Sequence, residues 1–156
     1  MAIAPNVTFV SGAILTAAQQ NAFGFGVVAL ATSTTASQGG IGGTATDLTG
    51  MSVTWTAIAS RYYKVTYHIY AYPTTTNACF SVNLQQGATL KQISITNGGG
   101  TAVGTTCNGI YVSTFSAGST TLKLTGATTA GSLGSFTFAS AATLPWILCV
   151  EDIGPA

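Results

Sequence analysis

At 156 residues the chain has the length of one domain, and 47% apolar residues are enough to build a core. Only 4% of its residues are charged, against roughly 25% in an ordinary soluble domain, and the formal net charge is +1. One arginine and three lysines cannot build the basic patch a nucleic acid demands, and no run approaches the ~18 apolar residues of a membrane helix.

Residues 1–12 read as an extended arm, with Pro5 and Gly12 bracketing the apolar piece VTFV. They lack the basic and long apolar regions of a secretory leader, so none is expected. In LTAAQQNAFGFG, Thr16 followed by Gln19 forms a capping box, and Ala17 and Ala18 favour helix. One short helix is predicted from Thr16 to about Phe23, stopped by Gly24 and Gly26. It is too short to stand alone and must pack on something. Residues 1–26 are thus expected to form an arm and anchor, and 27–156 a folded domain.

From Val27 the period changes to two. VVALATST is a strand candidate, and ASQGGIGGTA a glycine-rich loop or irregular edge. MSVTWTAIA puts Val53, Trp55 and Ala57 on one face and Ser52, Thr54 and Thr56 on the other. RYYKVTYHIYAY is the strongest strand signal: Tyr63, Val65, Tyr67 and Ile69 point one way, and Tyr62, Lys64, Thr66, His68 and Tyr70 the other. ACFSVNLQQ and TLKQISIT follow as strands around a turn near Gly87. TNGGGTAVGTTCNG reads as an excursion. IYVSTF, TTLKLTGA, GSLGSFTFAS and LPWILCVED complete the set, with Pro145 confined to the start of the last strand. Eight or nine strands with short loops and no βαβ rhythm predict an all-β, two-sheet antiparallel sandwich. Periodicity does not separate a jelly roll from another Greek-key sandwich.

Little in the chain can carry chemistry. Two of its three acids, Glu151 and Asp152, are adjacent, so on a strand they face opposite sides and cannot flank one bond. One is expected to meet solvent or a turn donor, the other to pair with Arg61 or Lys64. His68 is the one histidine. A triad with Asp47 and a serine lacks any framing motif, so a structural or interface role is expected. No spacing marks a metal site, and no metal or cofactor is expected. Three cysteines are an odd count for a disulfide scaffold: Cys79 and Cys107 are a possible pair, and Cys149 reads as a buried small hydrophobe. Tyr62, Tyr70 and Tyr72 fall on the face away from the expected core. They serve either packing, a subunit interface, which implicates Tyr62, His68 and Tyr70, or glycan stacking, which implicates Tyr70 and Tyr72. With charge repulsion nearly absent, exposed faces are expected to be used up in assembly.

Two segments read together resemble a known pattern. TATDLTGMSVTWTAIASRYYKVTYHIYA, with Asp47–Gly50, Ser52–Ala57 and Arg61–Tyr67, and the closing ATLPWILCVEDIGPA, with Val150–Pro155, resemble a domain of structural proteins of tailed phages of actinobacterial hosts. SGAILTAAQQNAF looks like the short helix that often precedes it; the middle of the chain departs from the pattern. The resemblance implies a non-enzymatic virion protein, a minor tail, fibre or capsid-surface component with a jelly-roll-like sandwich, often trimeric. It nominates no catalytic residue. The expected partners are further copies of the chain and the major capsid or tail protein of the particle, touched through Pro5, Phe9, Leu15 and Phe23. The expected location is the exposed virion surface after synthesis in the host cytoplasm. A carbohydrate-binding module facing host-surface glycan is the competing class.

Overall fold

The computed structural model describes residues 26–74, 79–97, 103–129 and 135–156. The expected arm, helix and anchor residues Pro5, Phe9, Leu15 and Phe23 lie outside them. The described residues form ten strands: β1 (Gly26–Ser33), β2 (Ser37–Ile41), β3 (Thr46–Ala57), β4 (Arg61–Pro73), β5 (Cys79–Gln86), β6 (Thr89–Asn97), β7 (Thr105–Thr114), β8 (Gly118–Thr128), β9 (Phe136–Ala139) and β10 (Trp146–Pro155). They make two antiparallel sheets, as the two-fold periodicity predicts. The front sheet runs β1-β10-β4-β9-β2, with β7 on the other edge of β4. The back sheet runs β3-β8-β5-β6.

β4 organises the front sheet. Its inward residues Tyr63, Val65, Tyr67, Ile69 and Ala71 are buried, on the alternation expected from the sequence. One edge pairs with β7 from Tyr62 to Ala71; the other pairs first with β10 and then with β9. Against this layer the back sheet sets Val53, Trp55, Phe80, Val82, Leu84, Leu122 and Leu124, all buried. Aromatic groups fill the two ends of the core. Phe80 packs on Phe136 and Phe138 with ring centroids 4.6 and 5.3 Å away. Trp55 packs on Tyr63 and Phe115 at 5.6 and 5.2 Å. Tilted and edge-on contacts of this kind are the favoured arrangements of aromatic quadrupoles.

The structure decides one open alternative in favour of an irregular edge strand and moves one boundary. The glycine-rich stretch around residue 40 contains β2, because β9 offers it an edge (Gln38 opposite Phe138) and the Gln38 side chain bonds Asp47 O and Thr49 N. β7 begins at Thr105, inside the expected excursion, because the long strand β4 needs a ladder partner as far as Ala71.

Close approach explains one glycine. Gly109 lies on β7 directly opposite Tyr67, and a Cβ there would sit 2.1 Å from the phenol ring. The missing side chain lets the Tyr67 ring lie between the sheets, where its hydroxyl meets Ser94 Oγ of β6 at 2.6 Å. Gln92 of β6 adds a second tie, donating from Nε2 to Ile110 O. The β6 and β7 edges are therefore joined by side chains rather than by a ladder.

Candidate functional site

The cross-strand register arranges the outer face of the front sheet into rows. One row is Val27, Glu151, Lys64 and Val112, taken across β1, β10, β4 and β7. The next is Leu30, Cys149, Thr66 and Ile110, and the third is Thr32, Ile147, His68 and Asn108. Beyond them β4 continues with Tyr70 opposite Thr106 and Tyr72 opposite Thr137. Tyr62 lies at the other end, opposite Thr114. On β4, β7 and β10 these are alternate positions, and the register shift between Val27 and Ala29 brings Val27 and Leu30 of β1 to the same face.

The chemistry of this face is uniform. Its outermost columns expose Leu30 at 58%, Ile110 at 64% and Val112 at 50% of their accessible surface. Its charges are a single pair: Lys64 Nζ lies 2.8 Å from Glu151 Oε2. The Glu151 carboxylate, as hydrogen-bond acceptor and as charge, raises the Lys64 pKa above its ordinary value. His68 Nδ1 meets Asn108 Oδ1 at 2.7 Å, and since a carbonyl oxygen only accepts, Nδ1 carries the proton.

The predicted site residues divide clearly. Tyr62, His68, Tyr70 and Tyr72 all stand on this face, as expected. Tyr62 is exposed and the others are half-buried. The Tyr70 ring occupies the space a side chain at Gly104 would take, so it is laid over the segment leading into β7. The adjacent acids separate to opposite sides, and both find cations: Glu151 pairs with Lys64 outside, and Asp152 pairs with Arg61 inside. Asp47 is on the back sheet, bonded to Lys123 Nζ at 2.7 Å, so no triad with His68 is assembled.

The three cysteines stand on three different strands. Cys79 is on β5 of the back sheet, its thiol donating to Asn97 Oδ1 at 2.7 Å, and Cys107 is on β7 of the front sheet. Cys107 is buried and donates to Ser94 O. Cys149 is half-buried on the outer face rather than in the core, because β10 keeps Leu148 and Val150 for the inside. Burial, and then the Glu151 charge, push its thiol pKa up, away from thiolate character. Among the described residues no group of three or more His, Cys, Asp or Glu side chains is placed to hold a metal.

Sequence reasoning missed Val27, Leu30, Ile110 and Val112. The spacing of Ile110 and Val112 shows that they share a face but not which face. On β7 the apolar residues point outward and Cys107, Gly109 and Tyr111 inward, an inversion caused by the Tyr67 ring filling the interior beside Gly109.

No protein-family model and no curated protein matches the sequence. Among solved structures the chain is similar to Eiger TNF from S. frugiperda, with a TM-score of 0.53 and 11% identity over 84% of this chain and 95% of that one. At that identity the likeness is one of fold. It also has a general similarity to the tripod (BppUct-A-L) from the baseplate of bacteriophage Tuc2009, with a TM-score of 0.44 and 15% identity over 99% of this chain and 80% of that one.

Proposed function

We propose that the chain is a non-enzymatic building block of a tailed-phage particle, a tail, fibre or capsid-surface component that works as a homotrimer. The observation that carries this reading is the outer face of the front sheet, which is four strands wide, exposes aliphatic side chains and has its only charges already paired. Such a surface is built to be covered, and a chain with 4% charged residues has little else to keep it dispersed. The strand order β1-β10-β4-β7 facing β3-β8-β5-β6 supports reading the sandwich as a jelly roll. The resemblance of the DLTG and VEDIGP segments to phage structural proteins supports the same class.

In this reading Tyr62, His68 and Tyr70 belong to a subunit interface. Residues 1–26 are the adaptor to the major capsid or tail protein, with Pro5, Phe9, Leu15 and Phe23 as its anchors, and the sandwich is the exposed knob. The test is mass spectrometry and immunogold labelling of purified particles with antibody raised against the sandwich. Regular labelling with a fixed copy number is expected; absence from particles overturns the reading. Deleting residues 2–12 is expected to abolish incorporation without unfolding the sandwich.

A second reading, a host-glycan binding module, is favoured by one detail: the Tyr70 ring laid over Gly104 next to the His68–Asn108 pair. Stacking on an aromatic ring beside neutral donors is how sugars are held. Retention on a host-envelope glycan array, lost on Tyr70→Ala or Tyr72→Ala with folding intact, supports it; no retention on any glycan overturns it.

A further inference from the structure

We infer that one side chain, His68, gates the subunit interface by protonation: the covered face holds its imidazole neutral, and mild acid opens the assembly. This rests on the reading of Tyr62, His68 and Tyr70 as interface residues, and adds the condition under which that interface is released.

The chain has one histidine and three acids. Each acid is already held by a cation: Asp152 by Arg61 at 2.6 Å, Glu151 by Lys64 at 2.8 Å and Asp47 by Lys123 at 2.7 Å. An imidazolium at position 68 therefore finds no spare carboxylate in the chain. The acid on its own face, Glu151, stands opposite Lys64, four residues away along β4. At ~3.3 Å per residue that is about 13 Å, beyond the ~8 Å screening length of physiological salt.

The groups around the ring supply no counter-charge either. β7 presents Asn108 with Thr106 and Ile110 on either side, and β10 presents Ile147 and then Cys149. β1 places Thr32 at the end of the row, and β4 itself contributes Thr66 and Tyr70. Of these only Cys149 and Tyr70 titrate, and thiols and phenols are uncharged in mild acid. His68 Nδ1 already donates to Asn108 Oδ1, so an added proton enters at Nε2, which has no hydrogen-bond partner among the described residues.

In the free chain water solvates that added charge. Beneath a neighbouring subunit it does not, and burial disfavours the charged form of a histidine. Histidine is the side chain that ordinarily titrates between pH 5 and 8. Above the titration range of the free imidazole the face carries no net charge, and the interface keeps its full stability. As pH falls through that range, the free chain takes up a proton that the assembled chain refuses, and assembly weakens.

The test is light scattering coupled to size-exclusion chromatography on the untagged full chain at about pH 8 and about pH 5.5, with circular dichroism confirming the fold at each. Wild type is expected to pass from a trimer to a single chain of 15.7 kDa, its association constant falling by up to about tenfold per subunit for each pH unit. His68→Gln, which keeps a neutral side chain at the position, is expected to stay trimeric at both. Should that variant fail to assemble, wild type answers alone. Its single histidine gives an unambiguous imidazole signal in proton NMR, and the titration midpoint is expected to lie lower at assembling concentrations than after dilution.

A wild-type trimer that persists at the lower pH overturns the inference and leaves the interface reading in place. So does loss of the His68→Gln trimer over the same range, which assigns the acid response to another group, or an imidazole midpoint unmoved by assembly. A wild type that is monomeric at both pH values overturns the interface reading and this inference with it, so the two failures are distinguishable.

Discussion

Arg61 and Asp152, 91 positions apart, are joined by a buried two-pronged bond: Nε donates to Oδ2 at 2.6 Å and Nη2 donates to Oδ1 at 2.8 Å. The same Asp152 Oδ1 accepts from Gly154 N, and Ala156 N donates to Ser60 O beside Arg61. The last strand is thereby clasped to the β3–β4 turn. The carboxylate is a lock on strand register rather than a working acid.

Breaking the lock from one side leaves a charge buried without its counter-ion. Asp152→Ala is therefore expected to destabilise the fold by roughly 3–5 kcal/mol in urea denaturation. Its neighbour provides the contrast. Glu151 and Lys64 have side chains 31% and 38% exposed, and Glu151→Gln is expected to cost less than about 1 kcal/mol. Equal losses at the two positions would show that the inner pair is not the clasp.

This pair shows what the sequence made legible. Adjacent acids on a strand must point apart, so their failure to act together follows from pleat geometry alone. The alternation from Tyr63 to Ile69 in β4 and from Val53 to Ala57 in β3 likewise located the core faces, because apolar residues occupy every second position there. The candidate face was half legible: Tyr62, His68 and Tyr70 follow from β4, whereas Leu30, Ile110 and Val112 depend on which side of β1 and β7 faces inward. On β7 that is decided by long-range packing of the Tyr67 ring over Gly109, and on β1 by its register on β10, which shifts between Val27 and Ala29. Strand β2 stayed open between a loop and an irregular edge for a similar reason, since its glycines do not favour a strand and its partner β9 is remote in sequence.

The space between Gly109 and Tyr67 is a strict steric relation. Gly109→Ala would place a methyl group within 2.1 Å of the ring, and a loss of about 1–3 kcal/mol is expected. Shortening the ring in the background of that change, with Tyr67→Val, is expected to cost less than Tyr67→Val does alone. A double-mutant cycle in urea reads the coupling directly. Additive effects would place the ring elsewhere.

Thr125 is 2% exposed, and its Oγ1 has no hydrogen-bond partner. A buried hydroxyl without a partner costs free energy that an isosteric methyl group does not, and valine suits a strand. Thr125→Val is expected to raise stability by about 1 kcal/mol, seen as a higher urea midpoint with an unchanged slope. A drop in midpoint would mean that the hydroxyl has a partner in solution.

The seam between β6 and β7 makes the fold sensitive to alkali. Burial pushes the Tyr67 phenol above its ordinary pKa of 10.0, against the smaller opposing effect of the Ser94 bond, and burial likewise raises the Cys107 thiol above 9.0. Both groups are neutral when folded and lose their protons more readily in the unfolded chain. Their contribution is thus complete below the unfolded values and is lost as pH rises through the raised folded ones. Urea midpoints are expected to hold steady to about pH 9 and then decline, with phenolate absorbance rising in step. Tyr67→Phe is expected to be less stable than wild type near neutrality by about 1 kcal/mol, for the lost hydrogen bond. It should also show a shallower alkaline decline, because one of the titrating groups is gone. An identical decline in the variant would remove Tyr67 from the cause and leave Cys107, tested in the same way by Cys107→Ala.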